Sequence, residues 1–352
     1  SRLRSGSVLC GTMDTWLIWK LTGGRVHATD PTNASRTLLF DIGKRKWSDE
    51  LCRIFNIAPE VLPEVRLSSG NFGFADAKHF GREIPIAGVA GDQQAALFGQ
   101  GCFAAGGGKN TYGTGAFLLL NTGQVRADPG EGILTTVACD AAGGYAYALE
   151  GSIFIAGAAV QWLRDGLRII DNAAETEELA RSLTSNDGVY FVPALTGLGA
   201  PHWNPEARGT IVGLTRGSSR AHLARAALEA MAYGTAGVLN AMRKRSGVPF
   251  ERLRVDGGAS VNDWLMQFQS DVIGVPVERP EIVETTALGA AGLAGIAAGV
   301  WRDAGEFLSV RHYTTFNPAV DDVERKNLID GWDRAVRATL SWANDSHENN
   351  LT

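Results

Sequence analysis

The sequence predicts a layered α/β protein with two domains, and three observations point there. Its 352 residues exceed the ~100–200 of one ordinary domain. Three strand-like runs follow one another at 115–121, 132–139 and 144–150, after which helices and short strands alternate. The 43 glycines gather where strands should end, the places where backbone turns tightly or approaches a ligand.

The elements follow in order. Apolar positions at helical spacing predict a helix over 12–21, ended by Thr22, Gly23 and Gly24. Residues 30–41 read as loop, then extended chain. Ser48 caps a short helix over 49–56, and Pro59 opens a helical turn. Residues 84–90 read as a strand and 92–102 as a helix. A glycine-dense stretch, 104–115, precedes the three strands. Helices are expected at 152–169 and 174–185, and strands at 189–194 and 209–214. A long amphipathic helix starts at Ser219 and runs to about Arg245, with Leu223, Leu228, Met231, Val238 and Met242 on one face. Leu253 to Asp256 is a strand, 260–274 a helix, 286–301 a tightly packed Ala/Gly helix, and 321–343 the last long helix. The tail from Asn344 reads as frayed. The domain boundary falls near residue 99, where the glycine density rises. The first domain is then short of strands, and the chain starts at Ser1 without Met. Both lead to the expectation that a preceding segment is missing.

Composition narrows the function. Hydrophobic residues make up 45% and charged residues 20%, and 33 basic against 38 acidic residues give a net charge of −5. With no Lys/Arg block, nucleic-acid binding is not expected. The four cysteines, Cys10, Cys52, Cys102 and Cys139, lack metal-ligand spacing and read as buried thiols of a reducing compartment, which places the protein in the cytoplasm. The longest uncharged apolar stretch, 286–301, is shorter than the ~20 residues of a membrane span.

Four stretches could carry chemistry. In VAGDQQAALFGQG (89–101), Asp92 follows an apolar run and opens a helix. It either caps the helix or takes a proton from a substrate hydroxyl that the neighbouring amides orient. NTYGTG (110–115) offers backbone N–H groups and hydroxyls to a phosphate, or is a plain hairpin turn; it is not a Walker loop. VDGGAS (255–260) runs a strand into a helix through two glycines, which suits a nucleotide or simple packing. GLGAPHWNPEARG (197–209) is a Pro/Gly loop around Trp203, functional or merely packed. Two phosphate-type turns and a strand-end acid, without a Ser–His pair or a metal cluster, favour phosphoryl transfer.

Taken jointly, GTMDTWLIWK (11–20), HATDPTNASRT (27–37), GDQQAALFGQ (91–100), KNTYGTG (109–115), GLGAP (197–201), GTIVGLTRG (209–217) and RVDGGA (254–259) resemble the glycerol kinase branch of the FGGY carbohydrate kinases, almost end to end. The resemblance implies the ribonuclease-H-like fold of the actin/Hsp70/hexokinase superfamily. Residues 1–98 would form the end of a substrate-side domain, incomplete in this chain, and 99–352 a nucleotide-side domain. It implies transfer of phosphate from ATP, with Mg²⁺, to glycerol. Asp92 would be the general base, with Gln93 on the polyol and Phe117 against its carbons. Thr114, Gly157, Gln161, Gly258 and Asn262 would contact the nucleotide, Thr114 near the phosphates and Gly258 and Asn262 near the adenosine. A homo-oligomer is also implied. The family's first phosphate-binding hairpin and part of its glycerol grip precede the matched region, so a non-catalytic nucleotide-binding piece, or a kinase of another polyol or ketose, remains open. In the loop before the catalytic stretch, Phe80, Gly81, Arg82 and Glu83 interrupt the pattern that binds fructose 1,6-bisphosphate in some relatives, so that inhibition is not expected. His79 faintly resembles a phosphorylated loop histidine, with one residue missing from the spacing, but reads foremost as a plain exposed loop residue.

Overall fold

A computed structural model describes residues 8–348 of the chain. Its centre is a seven-stranded mixed sheet. The strands are β1 (Gly108–Tyr112), β2 (Ala116–Gly123), β3 (Leu134–Cys139), β4 (Tyr145–Ile153), β5 (Leu253–Gly257), β6 (Val277–Pro280) and β7 (Tyr313–Phe316), in the spatial order β7-β6-β5-β1-β2-β4-β3. β1, β2 and β4 pair antiparallel, while β5 lies parallel to both β1 and β6. Three antiparallel strands continued by two parallel ones form the ribonuclease-H-like core, and β3 and β7 extend its two edges.

Alternation along the strands sorts the two faces. Tyr112, Leu118, Leu120 and Leu149 point to the main core beneath a long helix, α3 (Arg220–Ser246), whose Ala227, Leu228, Met231, Val238 and Met242 are buried against them. Each fully buried Leu or Met is worth ~1.5–3 kcal/mol, so this one helix face anchors the second half of the chain. α3 starts at Ser219, whose N–H donates to His222 Nδ1 at 3.1 Å, and stops at Gly247, held at φ 61°. A further helix, α4 (Asp263–Ile273), packs on α3, and the last helix, α6 (Asp322–Glu348), adds Ala335 and Val336 to the same core. The expected fraying after Asn344 concerns a segment that is helical through Glu348 and then leaves the described residues.

The opposite face meets the first part of the chain, which carries helix α1 (Met13–Leu21), small two-stranded ladders and helix α2 (Asp92–Gly99). Leu97 of α2 packs on Leu119, Ala138, Ala146 and Ala148. α2 also crosses the helix α5 (Thr285–Ala297) at very short range. A Cβ on Gly289 would lie 1.8 Å from the Ala95 carbonyl oxygen, and one on Gly99 would lie 2.1 Å from that of Thr285. Only glycine fits either position.

Several sequence expectations shift. Residues 84–90 are a strand only at Ile84–Pro85; beyond it the chain stays extended but bonds irregularly to 68–73. β1 falls inside the glycine-dense stretch for which no strand was expected, and β6 and β7 carry no clean alternation. The helix expected from 152 begins at Gly157, because 152 and 153 complete β4. α2 ends at Gly99 rather than 102. Cys52, Cys102 and Cys139 are buried free thiols, as expected, and Cys10 is partly exposed. Among the described residues no helix is long and apolar enough to cross a membrane.

Candidate active site

Gly91, extended at φ −60° and ψ 150°, occupies the capping position of α2, so Asp92 is the first helical residue. The Asp92 carboxylate is exposed and accepts from the Gln93 backbone N–H at 2.8 Å. The positive end of the helix lies directly beneath it. The turn is held from the other side by the stretch 27–37. Gly91 N–H donates to Thr32 Oγ1 at 2.7 Å, and Thr32 Oγ1 in turn donates to Asp30 Oδ2 at 2.7 Å. Asp30 is fully buried, caps the helical turn Pro31–Ala34, and also accepts from Ser68 Oγ at 2.6 Å. Burial pushes its carboxyl above the ordinary value, and hydrogen bonds from Ser68, Thr32 and Asn33 oppose that. A buried network of this kind fixes geometry, and here it fixes the peptide just before Asp92.

Strand register builds the rest. Across β5, β1, β2 and β4, Asp256, Thr111, Phe117 and Ser152 stand opposite one another, and so do Arg254, Lys109, Leu119 and Glu150. Directly opposed residues share a face. This face looks toward α2. In the first row the Phe117 ring is 41% exposed, an apolar surface open to a ligand. Asp256 is buried; Thr285 Oγ1 donates to its Oδ2, while its Oδ1 has no partner among the described residues. In the second row Glu150 receives a two-pronged bond from Arg36, at 2.9 and 3.0 Å, which ties 27–37 to the sheet.

Lys109 is fully buried, and its Nζ donates to Gln93 Oε1 and, at 2.7 Å, to Thr111 Oγ1. Burial lowers its pKa to about 8, against the pull of Asp256, Asp92 and Glu150. In the sequence Lys109 appears only as the first residue of the KNTYGTG motif, with no role of its own. The usable signal was a lysine inside a run that must be a central strand, where no solvent reaches it.

The turn between β1 and β2 supplies the second half of the site. Gly113 N–H bonds to Gly115 O at 2.8 Å, leaving Thr114 exposed at its tip. The Thr114 carbonyl accepts from Ala156 N–H at 2.8 Å and Ala158 N–H at 3.1 Å, and Gly157 N–H bonds to Gly113 O at 3.0 Å. A Cβ on Gly157 would come within 2.7 Å of that oxygen. Thr114 and Gly157 are therefore one unit. Gln161 ends the same helical turn on its exposed side. Gly257, opposite Tyr112 at φ 84°, turns the chain so that Gly258 stands exposed with nothing over its Cβ position. Asn262 is buried; its Oδ1 caps α4 through Leu265 N–H at 2.9 Å and its Nδ2 lies 3.5 Å from Thr176 Oγ1. Of the sequence candidates, Asp92 and Gln93 adjoin Lys109, Phe117 stands opposite Thr111, which Lys109 also bonds, and Thr114, Gly157 and Gly258 line the adjoining strand ends. Asn262 is committed to its cap. The loop 197–209 packs beside them, with Trp203 edge-on to Phe154 at 5.7 Å. His79 lies exposed in the helical turn Ala77–Phe80. It stands apart from this group in sequence and in the network of bonds.

Two family models match the chain: the N-terminal domain of the FGGY family of carbohydrate kinases over residues 3–99, and its C-terminal domain over 108–298. The chain is 57% identical over 342 residues to "Glycerol kinase 2" of Thermotoga maritima, covering 97% of this chain and 69% of that protein. It is 56% identical over 347 residues to a glycerol kinase of Lachnoclostridium phytofermentans, covering 98% and 69%. Its fold is similar to the crystal structure of Plasmodium falciparum glycerol kinase with ADP, at a TM-score of 0.90 and 39% identity, covering 96% of this chain and 68% of that one.

Proposed function

The chain belongs to the FGGY family of carbohydrate kinases, and from that premise we infer that its reaction is the ATP-dependent phosphorylation of glycerol to sn-glycerol 3-phosphate. The observation that carries the reaction is the identity of 54–57% with glycerol kinases over nearly the whole chain. The site supports the division of labour. Asp92 accepts the proton of the attacking hydroxyl, which makes that oxygen a better nucleophile as the bond to phosphorus forms. Gln93 hydrogen-bonds the polyol, and Phe117 covers its carbon chain. Backbone and hydroxyl groups of the Thr114 turn, with Gly157 and Gln161, hold the phosphates; Gly258 and Asn262 lie on the adenosine side. We assign 1–98 to the substrate side and 99–352 to the nucleotide side on the same grounds.

Magnesium suits this site. Mg²⁺ is bound by one or two carboxylates together with phosphates and water, and Asp256 offers one buried carboxylate oxygen that has no partner among the described residues. Among the described residues no three His, Cys, Asp or Glu side chains cluster as a metal cage, so phosphates and water would supply the other ligands. When bound, the ion neutralises charge on the transferred phosphoryl group.

The test is ADP release from Mg-ATP with a substrate panel: glycerol, xylulose and gluconate, using the protein expressed from its complete reading frame. Turnover with glycerol alone is expected. Preference for xylulose or gluconate would overturn the substrate assignment, and nucleotide binding without turnover of any of them would overturn the enzyme.

A further inference from the structure

Gln93 has a carboxamide whose two ends look alike in shape and opposite in chemistry. One end only accepts hydrogen bonds and the other only donates. What decides the orientation is the neighbour. As an ammonium, Lys109 Nζ has donors and no acceptor, so the atom of Gln93 that faces it must be the oxygen, as the structure has it. The Gln93 NH₂ is then turned outward, 3.5 Å from Asp92 Oδ2. Lys109 itself cannot turn away. Its side chain is fully buried, lies in the middle of the sheet between β5 and β2, and is held by Thr111 Oγ1 at 2.7 Å.

We propose that Lys109 is a positioning residue that locks the Gln93 carboxamide oxygen-inward, so that Asp92 and Gln93 together recognise a hydroxyl group. Asp92 only accepts and Gln93 only donates. An O–H group satisfies both, since it gives its proton to the carboxylate and takes the amide hydrogen on its lone pair. A carbonyl or a carboxylate leaves Asp92 facing an acceptor. The pair therefore selects an alcohol at the reacting position and aims its proton at the base. This inference rests on the glycerol reading above.

Without Lys109 the Gln93 amide is no longer held oxygen-inward, and a carboxamide with its oxygen turned outward offers the substrate an acceptor where a donor was. The test is a double-mutant cycle with Lys109→Met and Gln93→Ala, measuring KM for glycerol, KM for ATP and kcat, alongside thermal melting. Lys109→Met is expected to raise KM for glycerol about tenfold, the scale of one lost hydrogen bond, with KM for ATP within about twofold of wild type. In the Gln93→Ala background the same change is expected to have little further effect. Independent, multiplying effects, or an equal loss in both KM values, overturn the proposal. Gln93→Glu covers the case in which Lys109→Met does not fold. It keeps a partner for Lys109 and presents an acceptor outward, so it should lose glycerol affinity as Gln93→Ala does; wild-type affinity would overturn the donor role. Failure of the wild type to phosphorylate glycerol would instead count against the function, and is read separately from the cycle.

Discussion

Lys109 holds a charge where no water reaches it, and that has a measurable cost. Its pKa of about 8 lies below the ordinary 10.5 because burial disfavours the ammonium more than Asp256, Asp92 and Glu150 favour it. The unfolded chain keeps its proton up to about pH 10.4. Below pH 8 both states are protonated and the burial cost is constant. Between about pH 8 and 10.4 the unfolded state binds more protons, so the wild type gains stability with rising pH. The melting temperature of wild type minus that of Lys109→Met should therefore rise from pH 7.5 to pH 9.5. A flat difference would show that Lys109 keeps its proton across that range. At this scale the sequence was legible for the acid and blind to the base beside it. Asp92 stands out because it interrupts an apolar run. Lys109 does not, since its meaning depends on β1 being a central strand, and the dense glycines around it gave no strand signal. The capping alternative for Asp92 fails on a one-residue detail, Gly91 holding the cap, that lies within the usual error of helix boundaries.

The α2–α5 crossing shows what elements contribute. The two helices meet through Gly99 and Gly289 with backbone almost touching backbone, and the C-terminal carbonyls of α2, Gly99 O and Gln100 O, accept from Arg311 and Arg254. Cationic groups at that end complement the helix dipole. α2 is thus fixed along its length, and with it the direction in which Asp92 points. Gly289→Ala should cost about 1–3 kcal/mol or more, because the new methyl group meets the Ala95 carbonyl and neither helix has room to yield. Gly237→Ala in α3 meets only ordinary contact, 3.7 Å from Pro201, and should gain about 0.5–1 kcal/mol from helix propensity. Chemical denaturation of both variants checks this; equal effects would mean that the crossing is not tight. Helices with an apolar face, such as α3 and α4, were readable to within about three residues of their ends; α1 was readable from its spacing, although its Met13, Trp16 and Leu17 are exposed. β6 and β7 were not. β7 is a half-exposed edge strand, and β6 mixes Glu278 and Arg279 with Val277 because its charged side chains pair with Arg252, Arg254 and Asp263. Neither pattern alternates.

Over the whole molecule, the site is an agreement between two halves of the chain. The stretch 27–37 reaches Gly91 through Thr32 and reaches the sheet through Arg36 and Glu150. The sheet in turn reaches α2 through Lys109 and Gln93. Asp92 sits where these ties converge, beside the turns proposed for phosphate. The motifs at 27–37, 91–100, 109–115 and 254–259 were legible as a set, while their mutual contacts were not, because sequence spacing does not encode strand register between distant segments. The central claim is that Asp92 removes the proton of the attacking hydroxyl. The most direct test is kcat for glycerol phosphorylation by Asp92→Asn, with ADP affinity measured on the same preparation. The side chain is exposed and nearly isosteric with its replacement, so the fold should be unaffected. A fall in kcat of about 10²–10⁴ with unchanged ADP affinity is the predicted result; a kcat within about threefold of wild type would contradict it.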